Sequence, residues 1–105
     1  MTFIKVSKKN FRHEPFFRAI ADPTRRQILK MLKRRSMTAG EIAQAFEITM
    51  GSLSHHYNAL KAADLVRSER RGQQIVYSIN TTVFDDAAAI LAELFQLEPR
   101  GEEDE

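Results

Sequence analysis

Within residues 22–80 the apolar side chains change period once, and that change restricts the fold more than any other feature of the chain. Through DPTRRQIL and MTAGEIAQAFEITMGSLSHHYNALKAADLV they recur at helical intervals, and through RSERRGQQIVYSIN they alternate on either side of a basic turn. A run of helices followed by one short hairpin predicts a mainly α fold with a small β-hairpin, in the order helix, helix, helix, helix, strand, strand, helix.

Local signals punctuate that order. Residues 1–12 read as a basic arm carrying Lys5, Lys8, Lys9 and Arg12. A first helix follows, with Pro15 in its first turn and Phe16, Phe17 and Ile20 as an apolar stripe. Asp22 can cap, and Pro23 can open, a second helix that buries Ile28, Leu29 and Leu32 and turns Arg26, Lys30, Lys33 and Arg34 outward. Thr38 and Glu41 form a T-x-x-E capping box at the head of a third helix carrying Ile42, Ala43 and Phe46. Thr49 is the cap for a fourth, over 50–63, and the three residues Phe46, Glu47 and Ile48 between the two are few enough to set them at a steep angle. Strands over 65–70 and 74–80 flank Arg71-Gly72-Gln73, with Gly72 supplying a positive φ at the tip. A fifth helix begins at Thr81 or Thr82 and carries Phe84, Ala88, Leu91, Leu94 and Phe95 in one stripe. One domain over 13–97 and a disordered acidic tail over 98–105 complete the expected organisation. The succession is that of a winged helix-turn-helix, which holds one helix in a DNA groove.

Charge is distributed to match. Although the net charge is only +2, residues 1–80 hold 15 Lys and Arg against six acids, and residues 81–105 hold one Arg against eight. Phosphate would bind the first part, and the acidic end should face away from it. The composition, 43% hydrophobic and 29% charged, is that of a soluble globular domain, and neither a membrane-spanning run nor a secretory signal is present, which predicts the cytoplasm. Zero cysteines exclude disulfides, thiolate zinc sites and thiol catalysis.

The fourth helix carries the predicted chemistry. Steps of 100° per residue put Leu53, Tyr57 and Leu60 on one side, His56 at its margin, and Gly51, Ser54, His55, Asn58 and Lys61 on or near the other. Ser54, His55 and Asn58 are candidates for base edges in the major groove, and Ser52 and Lys61 for phosphates beside it. Thr49 and the free amides beside it can hold a further phosphate. Arg70, Arg71 and Gln73 at the hairpin tip can reach phosphate or the minor groove.

Two other chemistries fail on geometry. Adjacent helical histidines point about 100° apart, so His55 and His56 cannot chelate one ion as an i, i+4 pair does; His56 is assigned to packing or a buried hydrogen bond. Ser52 and Ser54 have no carboxylate at a spacing that completes a nucleophile and base, so no enzyme is expected.

With these residues in view, 16–84 resemble the ArsR-type winged-helix repressors, through DPTRRQIL in the second helix and SLSHHYNALKAADLV in the recognition helix. DPTRRQIL, MTAGEIA, SHH, ERRGQ and YSINTTV are similar to its metal-independent sporulation-delay autorepressor subgroup. The resemblance implies a homodimer on a pseudo-palindromic double-stranded operator, joined through its first and last helices, and a sequestering membrane or other protein partner as the signal. Phe16, Phe17 and Ile20, with Phe84, Ala88, Leu91, Leu94 and Phe95, are then the expected dimer surface, an arrangement favoured by a domain small enough to bury only about two thirds of its unfolded surface. Metal sensors of the family use cysteines in the segment aligned with 36–43, or an Asp and His cluster on the last helix; here the first reads SMTAGEIA, and the second has Asp85 and Asp86 without histidine. No metal, cofactor or small-molecule substrate is therefore expected, and the two aspartates are assigned to the positive end of the last helix. Two rivals stay open: a metal- or ligand-responsive sensor of this fold with a different site, and a winged helix that binds protein instead of DNA.

Overall fold

The computed structural model describes residues 13–96, so the predicted arm and tail lie outside the described residues. Ala21 and Asp22 separate α1 (His13–Ile20) from α2 (Pro23–Arg34). Asp22 Oδ2 accepts from the amides of Thr24 at 2.8 Å and Arg25 at 3.1 Å, which satisfies two of the donors that open α2. The end of α1 is met from the same side. Arg25 donates through Nε to the Ala19 carbonyl at 2.8 Å and through Nη2 to the Arg18 carbonyl at 3.0 Å, and Arg26 donates to the Ile20 carbonyl at 2.8 Å. Two cations thus close the terminus at which the helix dipole is negative.

Extended chain leads through β1 (Met37–Thr38) into α3 (Ala39–Ala43). The capping box closes as expected: Glu41 N–H donates to Thr38 Oγ1 at 3.0 Å, and Thr38 N–H donates to Glu41 Oε1 at 2.9 Å. Only five residues are helical, so Phe46 lies beyond the helix it was predicted to join and packs partly buried against the core. Two residues offer no alternation for a sequence reading to detect, and β1 becomes a strand only because the sheet receives it.

α4 (Met50–Ala62) is capped by Thr49, whose Oγ1 accepts from Ser52 N–H at 3.1 Å. It ends in a Schellman corner, with Asp64 N–H on the Lys61 carbonyl at 2.9 Å, Leu65 N–H on the Leu60 carbonyl at 3.0 Å, and Asp64 left-handed at φ 60. β2 (Val66–Arg71) and β3 (Gln74–Ile79) then form the hairpin, paired from Val66↔Ile79 to Arg71↔Gln74. Arg71 belongs to the ladder, which leaves a two-residue turn of Gly72 and Gln73, with positive φ at Gly72 alone as in a type II′ turn. β1 pairs antiparallel with β3 at Met37↔Tyr77 and Thr38↔Val76, giving a three-stranded sheet in the order β1-β3-β2. Asn80 locks the hairpin to the corner, donating from its backbone to the Leu65 carbonyl and from its side chain to the Asp64 carbonyl, both at 2.9 Å. With its amide so engaged, Asn80 makes no side-chain cap for α5 (Thr81–Phe95).

The core joins Phe16 and Ala19 of α1, Ile28, Leu29 and Leu32 of α2, Ile42 of α3, and Leu53, Tyr57 and Leu60 of α4 to Leu65, Val66 and Tyr77 of the wing. α5 meets it through a line the stripe reading passed over. Val83 and Ala87 are buried, with Phe84 and Ile90 packed beside them, while Ala88, Leu94 and Phe95 face outward. Asp85 and Asp86 also need correcting, because the first turn of α5 contains no acid; both sit a turn further in, where the dipole has weakened.

Candidate nucleic-acid interface

α4 is held on one side only. Leu53 is fully buried, Leu60 is 1% exposed and Tyr57 is 4% exposed. Tyr57 adds direction to this grip: its hydroxyl donates to the Ala39 carbonyl at 3.1 Å, and its ring lies 4.6 Å from that of Tyr77, centroid to centroid. Burial, reinforced by the neighbouring Tyr77, pushes the Tyr57 phenol up to about 12, so it remains a donor at any physiological pH.

Every side chain assigned to DNA from the sequence is exposed: Thr49, Ser52, Ser54, His55, Asn58 and Lys61 on or beside α4, and Arg70, Arg71 and Gln73 at the hairpin tip. The tip is carried on the same rigid unit, because only Ala63, Asp64 and Leu65 separate α4 from β2, and that corner is tied by the bonds described above. Six residues of strand set it roughly 20 Å from the corner. Beyond Val66, β2 is exposed throughout, with Arg67, Arg70 and Arg71 against a single Glu69; Arg71 meets Glu69 at 3.3 Å in open solvent, a pair that contributes little.

His55 and His56 divide as their angles require. His55 is exposed, whereas His56 is mostly buried and its Nδ1 lies 3.0 Å from Arg25 Nη1 and 3.8 Å from Asp22 Oδ2. The buried hydrogen bond expected for His56 is therefore present, and its partner is the residue that sequence reasoning missed. A signal was available: Arg25, Ile28, Leu29 and Leu32 fall at helical spacing on one face, and Arg25 is indeed only 8% exposed. Burial is the chief cause that lowers the His56 pKa; Asp22 opposes it, while Arg25 and His55 add to it. For Asp22 burial disfavours the charge, yet the Arg25 amide, the His56 and Arg25 charges and the Thr24 amide together hold the carboxyl below its ordinary value.

The expected dimer residues separate into two sets. Phe16 is 3% exposed in the chain's own core, and Ile20 and Phe84 are partly buried against it. Phe17, Leu94 and Phe95 are 40%, 64% and 61% exposed, and exposed Ala88 and half-buried Leu91 lie on the same side of α5 as Phe95. Among the described residues no group of three or more His, Asp or Glu side chains comes together in a way that could hold a metal ion, and no helix is long and apolar enough to cross a membrane.

Comparison with known proteins agrees with this architecture. Residues 22–68, from the Asp22 cap into β2, match the model for bacterial regulatory proteins of the ArsR family. The chain is 55% identical over 71 residues to the transcriptional repressor SdpR of Bacillus subtilis, covering 68% of this chain and 79% of that one. It is 25% identical over 95 residues to the transcriptional activator HlyU of Vibrio cholerae, covering 90% and 88%. A crystal structure of an ArsR family transcriptional regulator superposes with a TM-score of 0.75 at 32% identity, over 80% of this chain and 87% of that one. With its cap and its recognition helix inside the matched residues, and a 55% identical repressor covered over 79% of its length, the chain belongs to the ArsR family of bacterial regulatory proteins, a winged helix-turn-helix transcription regulator and not an enzyme.

Proposed function

We propose that the protein is a cytoplasmic homodimeric repressor that occupies a pseudo-palindromic operator, in the manner of an autorepressor, and that its signal is a protein partner or its own abundance. The observation that carries the reading is the polarity of α4, anchored by Leu53, Tyr57 and Leu60 while Ser54, His55, Asn58 and Lys61 stand in solvent. Ser54, His55 and Asn58 read base edges; Thr49, Ser52 and Lys61 hold phosphate; Arg70, Arg71 and Gln73 of the wing fix the register. Exposed Leu94 and Phe95, with Phe17, support pairing through α5 and α1, which would place two recognition helices about 34 to 36 Å apart in successive major grooves. The similarity to a protein named as a repressor supports repression over activation.

Selection of bound fragments from genomic DNA tests the reading. Paired half-sites, among them one upstream of the protein's own gene, are the expected result. His55→Ala and Asn58→Ala should then relax base preference by about 1 to 3 kcal/mol for each lost contact, whereas Arg71→Ala should weaken all sequences alike and flatten the salt dependence. Recovery of no preferred sequence, or a wing variant that changes preference while the helix variants do not, would overturn the assignment.

A further inference from the structure

The N-terminal end of α4 carries two exposed apolar side chains beside polar Thr49 and Ser52, which the polar and basic remainder of the exposed face does not lead one to expect. Met50, the first residue of the helix, is 57% exposed, and Ile48, two residues before it in the connecting turn, is 40% exposed. They are the only large hydrophobic side chains strongly exposed among the described residues outside α1 and α5. At 100° per residue Met50 lies about 40° from Ser54 on one side and about 20° from Tyr57 on the other, so it stands at the margin between the buried stripe and the side chains assigned to bases, and at the first turn, with 57% of it exposed, it is left in solvent there.

Gly51 gives a second, independent observation. A Cβ built there would meet nothing in the chain nearer than Thr49 Oγ1 at 3.9 Å, an ordinary contact, and its φ is not in the left-handed region. Neither internal packing nor backbone geometry requires glycine at this position, where alanine would favour the helix. Gly51 sits one turn before Ser54 and His55, at the middle of the outward face. A site that forgoes a side chain for no internal reason is suited to the close approach of another surface.

We propose that Met50, with Ile48 beside it, reads the C5-methyl group of a thymine at the edge of each half-site, and that Gly51 lets the start of α4 approach the groove closely enough for that contact. The inference rests on the DNA-reading role of α4 given above. In the major groove the thymine methyl is the one apolar feature of a base edge, and a flexible thioether side chain adapts readily to it. Ser54 and His55 then read the adjoining bases by hydrogen bonds, and the apolar contact extends the recognised sequence by a position that they cannot distinguish.

The test uses half-sites selected by the full chain from random-sequence duplex DNA, remade with deoxyuridine in place of one thymidine at a time. This removes a methyl and leaves base pairing intact. One substitution per half-site should weaken the wild-type protein by about four-fold, the value of one buried methyl group. The same substitution should change nothing for Met50→Ala, and Met50→Leu should keep the sensitivity. Gly51→Ala should melt at the same or a higher temperature yet bind DNA less tightly. If no sequence is selected, the DNA-reading role itself fails. A selected site indifferent to every thymine methyl, or a methyl effect equal in wild type and Met50→Ala, overturns this proposal and leaves that role standing.

Discussion

The guanidinium of Arg25 and the imidazole of His56 meet at 3.0 Å, Nη1 to Nδ1, where α2 packs on α4. Arginine has donors and no acceptor, so His56 accepts through Nδ1 and carries its proton on Nε2. The contact therefore requires a neutral imidazole. It links the recognition helix to the corner at which Arg25 also closes α1, so three helices meet at one side chain.

Acid should loosen this joint. The folded-state pKa of His56 lies below the ordinary 6.5, chiefly through burial, so on acidification the unfolded chain takes up a proton before the folded chain does. Its contribution is complete above pH 6.5 and is lost as pH falls below that value toward the folded-state pKa. Asp22, lowered from 3.8, loses its contribution only at more acid pH, outside this window. Urea midpoints followed from about pH 8 to about pH 5 should decline for the wild type and run flatter for His56→Gln. Parallel curves for the two proteins would show that His56 does not set the dependence.

Arg25 and its neighbour Arg26 should differ sharply although they are adjacent and chemically identical. Arg25→Met keeps the buried stem but removes donors to the Arg18 and Ala19 carbonyls and to His56, which should cost about 2 to 4 kcal/mol. Arg26→Met removes one exposed bond to Ile20 and should cost less than about 1 kcal/mol. Equilibrium urea unfolding separates them, and equal losses would mean that the corner is not held through Arg25.

Leu94→Asp combined with Phe95→Asp should convert a dimer to a monomer while leaving helix content and the fold of each chain unchanged, since both side chains are more than half exposed in the single chain. Sedimentation at micromolar concentration and circular dichroism measure the two effects. Operator affinity should fall steeply with the loss of simultaneous half-site binding. A wild-type protein that sediments as a monomer would remove the role assigned to this face.

Much of the fold was legible because its signals are local. Asp22 with Pro23, Thr38 with Glu41, and Thr49 each act on amides within three residues, so the start of every helix from α2 to α4 could be read from spacing alone. The same holds for the recognition helix: one turn repeats every 3.6 residues, and Leu53, Tyr57 and Leu60 must share a side whatever they pack against. That constraint in turn places Ser54, His55 and Asn58 on the exposed side of α4. Gly72 marked the hairpin tip for the same reason, since its positive φ belongs to the turn itself.

Tertiary structure decided whatever depends on a distant partner. Arg25 reads as one more cation in a basic helix until His56, 31 positions later, supplies its acceptor and the end of α1 supplies two more. Met37 and Thr38 become a strand only when Tyr77 and Val76 arrive opposite them. α5 has apolar residues on two sides, and its sequence does not say which side turns inward; Val83 and Ala87 are buried because the wing and the helices ahead of them leave the core open there, and Leu94 and Phe95 are left in solvent. Periodicity fixes which residues of an element lie together, but which face is buried is a property of the surfaces it meets.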